Sequence, residues 1–210
     1  MTPPARPEVV AAIIAGGQGR RLGGSNKSAL IIAGRSILER QLEVLRPRFA
    51  RLLLVSNTPP DPIPAGVTLV RDRVPPGQGP LAGLDAALAA LLPQEIAVVC
   101  VGGDMPLLAP ALIELLRDVA PQAEAVVPRV GGHPQPLLAR YARPCAARIA
   151  AALAAHAFKA RALVDQLAVH WLDEPALRAL DPDLTSFENL NTPEDLARLT
   201  ALVEARGPRF

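Results

Sequence analysis

Aromatic residues are scarce: the chain holds four Phe, one Tyr and one Trp in 210 residues. A nucleic-acid-binding surface usually combines a basic stripe with interleaved aromatics. Here the arginines are spread along the chain, and 22 basic residues stand against 20 acidic ones for a net charge of +2. No nucleic-acid partner is expected. Cysteine is scarcer still. Cys100 and Cys145 show neither metal-ligand spacing nor a disulfide framework, and Cys100, inside an apolar run, reads as a buried inert thiol. No apolar run is long enough to cross a bilayer. The opening MTPPARPEVV lacks a signal-peptide core. A cytoplasmic location and no membrane partner are the expectations.

What is abundant is aliphatic. Half of the residues are hydrophobic, enough to bury a full core. The length suits one domain over residues 1–210, with residues 1–7 and 206–210 loose. Strand-like runs cover residues 9–15, 51–56, 67–70, 96–102, 124–128, 136–141 and 167–172. Helix-period segments lie between them, at 37–45, 81–92, 111–119, 145–155 and 192–205. The last begins with Thr192 as N-cap and Pro193 at the first helical position. Strands alternating with helices predict an α/β fold with a mainly parallel sheet.

Directly after the first strand comes IAGGQGRRLGGSNKSAL, residues 14–30, with five glycines, two arginines and one lysine. It is not a Walker A loop, because Asn26 rather than glycine precedes Lys27. Nor is it a dinucleotide fingerprint, since the run from Gly17 reads G-Q-G-R-R-L and lacks the third glycine. A long loop of this composition can wrap phosphate oxygens with backbone N–H groups while Arg20, Arg21 and Lys27 supply charge.

Three polar residues follow strands in the manner of ligand sites, which form beyond the carboxyl ends of parallel strands. Asp104, in VGGDMPLL, is placed to hold Mg²⁺ bridging phosphate oxygens. It could instead cap a helix, but Pro106 and Pro110 put the helix start further on. Asp72 serves as a site residue, a turn aspartate or an ion-pair partner of Arg71 or Arg73. Asn57 can meet a base or ribose, or simply form the turn before Pro59. His133 is a substrate-contact candidate or a loop residue, while His156 and His170 read as structural.

The motifs IAGGQGRRLGGSNKSAL, GPLAGLDAAL, GGDMP, HPQP and NLNTPEDL occur in that order from Val9 to about Leu202. Together they resemble the molybdenum cofactor guanylyltransferase family. The resemblance implies a three-layer α/β/α, Rossmann-like fold. It also implies transfer of GMP from GTP to molybdenum-bearing molybdopterin, with Mg²⁺ and release of pyrophosphate. By motif, Ile14, Ala15, Gly16 and Gly17 fall in the nucleotide-binding turn. Lys27 matches the phosphate-contacting lysine, Asn57 and Asp72 further GTP contacts, and Asp104 the metal-binding aspartate. Gly79 to Gly83 match the loop beside the guanine, and Asn191 the C-terminal asparagine motif. Molybdoenzymes or cofactor-carrier proteins are implied partners. The sequence departs from the pattern at Asn26, where the family usually has Asp, and at Leu22, where Met is usual. Asparagine keeps the size and hydrogen bonding of aspartate and loses its charge.

For the pterin, Arg143, Arg148, Lys159 and Arg161 are conceivable contacts, although a solvated basic face is the reading preferred for them. Two other functions stay open: cytidylyl transfer to molybdopterin or another phosphorylated alcohol, and non-catalytic GTP binding by a cofactor-delivery adaptor. Gly16-Gly17 favours the guanine branch by resemblance.

Overall fold

The computed structural model describes residues 8–15, 27–75 and 78–206. Strand β1 (Glu8–Ile14) is central. Parallel to it on one side lie β4 (Leu52–Val55) and then β5 (Val67–Val70), and on the other side β6 (Glu95–Gly102). Beyond β6 comes β9 (Leu138–Ala142), antiparallel to both its neighbours, then β7 (Ala125–Val130) and β10 (Val169–Leu172). The order is β10-β7-β9-β6-β1-β4-β5, with β8 (His133–Pro134) pairing β7. This is the mainly parallel α/β sheet the sequence predicts.

Alternation along β1 sorts the two faces. Val10, Ala12 and Ile14 join a core with α2 (Pro80–Ala89), α4 (Cys145–Ala154) and α5 (Ala160–Val164). Ala11, Ile13 and Ala15 join the opposite core with α1 (Ile37–Leu45), α3 (Pro110–Asp118) and α6 (Glu174–Arg178). Every residue of β4 is buried, as expected of a strand covered on both sides. A third cluster lies to one side, where α7 (Pro193–Arg206) brings Leu199 and Val203 to Ile32, Ile37, Leu107 and Leu190. Ile32 belongs to the small hairpin of β2 (Ile31–Ile32) and β3 (Arg35–Ser36).

Helix ends follow their local chemistry. Ser36 and Glu39 form a reciprocal capping box at α1. At α7 the Asp195 N–H donates to Thr192 Oγ1 at 3.1 Å, while the Asp195 carboxylate accepts from the backbone of Asn191 and Thr192. Helix α3 starts at Pro110 with Ala109 as N-cap, so Asp104 does not cap it. Most boundaries differ from the sequence reading by one or two residues. Helix α2 stops at Ala89, short of Leu92. Strand β9 begins at Leu138 rather than at residue 136, since Pro136 has no N–H for a ladder. The Gly131-Gly132 pair, at φ +55° and +75°, turns the chain between Val130 and His133, the backbone conformation a two-residue hairpin loop demands.

No helix among the described residues is long and apolar enough to cross a membrane. Cys100 and Cys145 are free and buried.

Candidate functional site

The parallel strands β5, β4, β1 and β6 all end on one rim, and three of the expected site residues stand there. At the centre, the exits of β1 and β6 are in direct contact. Ile14 pairs with Gly102, and the Gly103 N–H donates to the Ile14 carbonyl at 2.9 Å. A Cβ on Gly103 would stand 2.9 Å from Ala15 Cα and 3.0 Å from Ile14 O. Glycine at 103 is therefore a requirement of close backbone approach. The next residue is Asp104, half-buried. The carboxylate turn is thus welded to the place where the glycine-rich loop leaves β1.

Gly16, Gly17, Arg20, Arg21 and Asn26 lie outside the described residues. Lys27 opens a 3₁₀ turn (Lys27–Ala29). Ser28 in that turn is buried.

On the far side of β1, Asn57 and Asp72 leave β4 and β5 side by side and bond to each other. Asn57 Nδ2 donates to Asp72 Oδ2 at 2.9 Å, and the Asp72 N–H donates to Asn57 Oδ1 at 3.2 Å. Arg71 donates to the Asn57 carbonyl at 3.0 Å, and Arg73 faces Asp85 of α2 at 3.6 Å. Asp72 is therefore the partner of Asn57 rather than of either neighbouring arginine. Burial pushes its carboxyl above the ordinary range, against the opposing hydrogen bond from Asn57.

Helix α2 closes the face below this rim. Gly79, at φ +71°, is its N-cap, and Pro80 opens its first turn. Gly83 is buried beneath β1, where a Cβ would stand 2.6 Å from Ile14 Cγ2. The motif GPLAG thus lets a helix lie directly on the strand that carries the loop.

The C-terminal asparagine motif reaches the same turn. The Leu190 N–H donates to the Asp104 carbonyl at 2.8 Å, which brings Asn191 beside it. The HPQP segment is adjacent too, since the Gly102 N–H donates to Leu137 O at 2.7 Å. His133 itself is exposed on the β7–β8 hairpin.

Two basic candidates belong elsewhere. Arg143 donates to the carbonyls of Leu92 and Glu95, and Glu95 begins β6. Arg148 pairs with Glu124 at 3.0 Å and donates to Gln166 O. Both occupy the rim opposite Asp104. Lys159 is exposed and follows Phe158, whose carbonyl lies 3.5 Å from where a Cβ on Gly79 would be. It therefore stands beside the GPLAG turn.

Among the described residues no cluster of three His, Cys, Asp or Glu could hold a metal. A single carboxylate fits Mg²⁺, which takes one or two carboxylates and completes its octahedron with waters and substrate phosphates. Asp104 beside the loop exit matches that donor set.

Residues 11–171 match the MobA-like NTP transferase domain. The chain belongs to this family. It is 33% identical over 193 residues to a probable molybdenum cofactor guanylyltransferase of Pelotomaculum thermopropionicum, covering 91% of this chain and 92% of that protein. A molybdenum cofactor guanylyltransferase of Desulfosudis oleivorans is 32% identical over 198 residues, covering 94% and 96%. The fold matches the crystal structure of molybdopterin-guanine dinucleotide biosynthesis protein A from Archaeoglobus fulgidus at a TM-score of 0.78 and 27% identity, covering 94% and 99%. Membership makes the chain a nucleotidyltransferase.

Sequence reasoning missed Gln41, whose buried amide bonds the turn around Asp104. The signal was present: Gln41 lies four residues from both Ile37 and Leu45, a polar side chain within the apolar stripe of α1.

Proposed function

We propose that this chain transfers GMP from GTP to molybdenum-bearing molybdopterin, giving the guanine dinucleotide cofactor and pyrophosphate, with Mg²⁺ held by Asp104. The observation that carries this reading is the bond from Gly103 N–H to the Ile14 carbonyl. It puts the acidic turn next to the origin of the basic, glycine-rich loop. The names of the relatives support the choice of substrates.

The terminal phosphate oxygen of molybdopterin attacks the α-phosphorus of GTP in line. The new P–O bond forms as the bond to the β-phosphate bridging oxygen breaks, and pyrophosphate departs with its electron pair. No general base is needed, because the attacking phosphate is ionised near neutral pH. Such transfers rest on positioning and charge neutralisation. Bound Mg²⁺ supplies neutralisation of phosphate charge. Lys27, with Arg20 or Arg21, stabilises the α-phosphate and the departing pyrophosphate. The Ala15 N–H is committed to Val55 O at 2.9 Å, so the backbone N–H groups of Gly16 and Gly17 are the ones assigned to the nucleotide, and Asn57 and Asp72, joined to each other, take its base or ribose end. Asn191 approaches from the opposite side, through Leu190.

The test is product formation from molybdenum-bearing molybdopterin with GTP, CTP or ATP, each with and without Mg²⁺. GTP is expected to give the dinucleotide and stoichiometric pyrophosphate, with turnover lost on chelation. Turnover with CTP alone would move the chain to the cytidylyl branch. GTP binding without pyrophosphate would make it an adaptor.

A further inference from the structure

Gln41 is fully enclosed on α1 among Ile37, Leu38, Leu42 and Leu45. A buried amide is tolerated where its polar atoms are bonded. Its Nε2 donates to Gly102 O at 2.7 Å and to Met105 O at 2.9 Å, so both N–H groups are used. Its Oε1 is buried and has no hydrogen-bond partner among the described residues, which is a standing cost to the fold. A methionine would fill a similar volume without that cost. The amide is thus accounted for by its two donors.

Those donors bracket Asp104. Residues 102–105 form a turn in which Met105 N–H donates to Gly102 O at 3.1 Å, while Gly103 N–H donates outward to Ile14 O at 2.9 Å, and two of its four residues are glycines, which add no side-chain packing to hold it. Gln41 ties both ends of the turn to a helix, while Leu190 holds the Asp104 carbonyl from the other side. We infer that Gln41 is a positioning residue: its amide clamps the Gly102 and Met105 carbonyls and thereby aims the Asp104 carboxylate at the metal and phosphates. This rests on the reading of Asp104 as the metal-holding group. Partners that orient a metal ligand in this way govern affinity by about 10–100-fold.

The experiment compares wild type with Gln41→Met, Asp104→Asn and the double variant. Two quantities are read: binding of paramagnetic Mn²⁺ in the presence of GTP, followed by electron paramagnetic resonance, and the Mg²⁺ dependence of pyrophosphate release. Gln41→Met is expected to weaken Mn²⁺ binding and raise the Mg²⁺ requirement by about 10-fold or more. In the Asp104→Asn background it should add nothing, because the two residues act as one unit. Unchanged metal binding in Gln41→Met, or a loss that adds in full to that of Asp104→Asn, would overturn the inference. If Gln41→Met does not fold, Gln41→Asn, whose shorter amide reaches one carbonyl at most, is read by the same criteria. Wild-type metal binding in Asp104→Asn itself would instead remove the metal assignment beneath it.

Discussion

The backbone of Leu190 donates to the carbonyl oxygen of Asp104 at 2.8 Å, so the turn before the C-terminal helix closes onto the turn after β6. The contact is between main chains. It does not use the Asp104 carboxylate and so persists when that side chain is changed, and the loss of the carboxylate is expected to be felt by chemistry rather than by folding.

Asp104→Asn is therefore expected to lower turnover by at least about 100-fold, the scale of several kcal/mol of lost charge stabilisation. The melting temperature should change by less than about 3 °C, corresponding to under about 1 kcal/mol for a chain of this size. Pyrophosphate release and calorimetry check the two halves. Normal turnover would dismiss Asp104 as the metal ligand.

Gly103 and Gly131 make a controlled pair. Alanine at 103 meets backbone atoms of Ile14 and Ala15, which cannot swing aside. Alanine at 131 meets nothing within 4 Å and is strained only through its φ of +55°. Gly131→Ala should cost about 1–2 kcal/mol and leave activity intact. Gly103→Ala should cost about 1–3 kcal/mol and lose most activity by pushing Asp104 off the β1 exit. Denaturant titration alongside turnover distinguishes them, and equal activity in the two would break the argument.

Asp72 carries a pH signature. Its folded carboxyl titrates above the ordinary value of 3.8 because burial disfavours the charge. The native state then binds more protons than the unfolded one in the window just above 3.8, so this group's contribution to stability declines as pH rises through that window. Asp72→Asn removes the decline. Its stability relative to wild type should rise with pH across that range and then level off, while GTP affinity at neutral pH falls about 10-fold, or about 1.4 kcal/mol. A melting temperature that drops at pH 7 as much as affinity does would mark Asp72 as a structural residue only.

The thiols give a simpler check. Burial pushes both Cys100 and Cys145 up to about 12, so neither presents thiolate at pH 8. A chromogenic disulfide reagent should find no reactive thiol in the native protein and two in guanidinium. Rapid native reaction would contradict the burial of these side chains.

The long aliphatic strands were legible from composition alone, because a strand covered on both faces must be apolar along its whole length. The rim positions of Asp104 and Asn57 were legible because each follows such a strand, and that of Asp72 because it follows β5, a short, partly buried edge strand. The small elements were not: β2, β3 and β8 have two residues each, and α5 and α6 five, too few to show a period. Pairing was also invisible. Nothing in the sequence joins Asn57 to Asp72 or Gln41 to the Gly102 carbonyl, since both depend on which strands and helices lie side by side. Arg143 and Arg148 looked like free basic groups for the same reason. Their carbonyl partners on the opposite rim are a product of topology.

The reversed strand β9 has its own consequence. By lying between β6 and β7 it moves the carboxyl end of β7 two strand spacings, about 10 Å, from that of β6. Leu138, where β9 starts, therefore lies on the same rim as the exit of β6, so the ground beside Asp104 on that side is the start of a strand rather than the end of one.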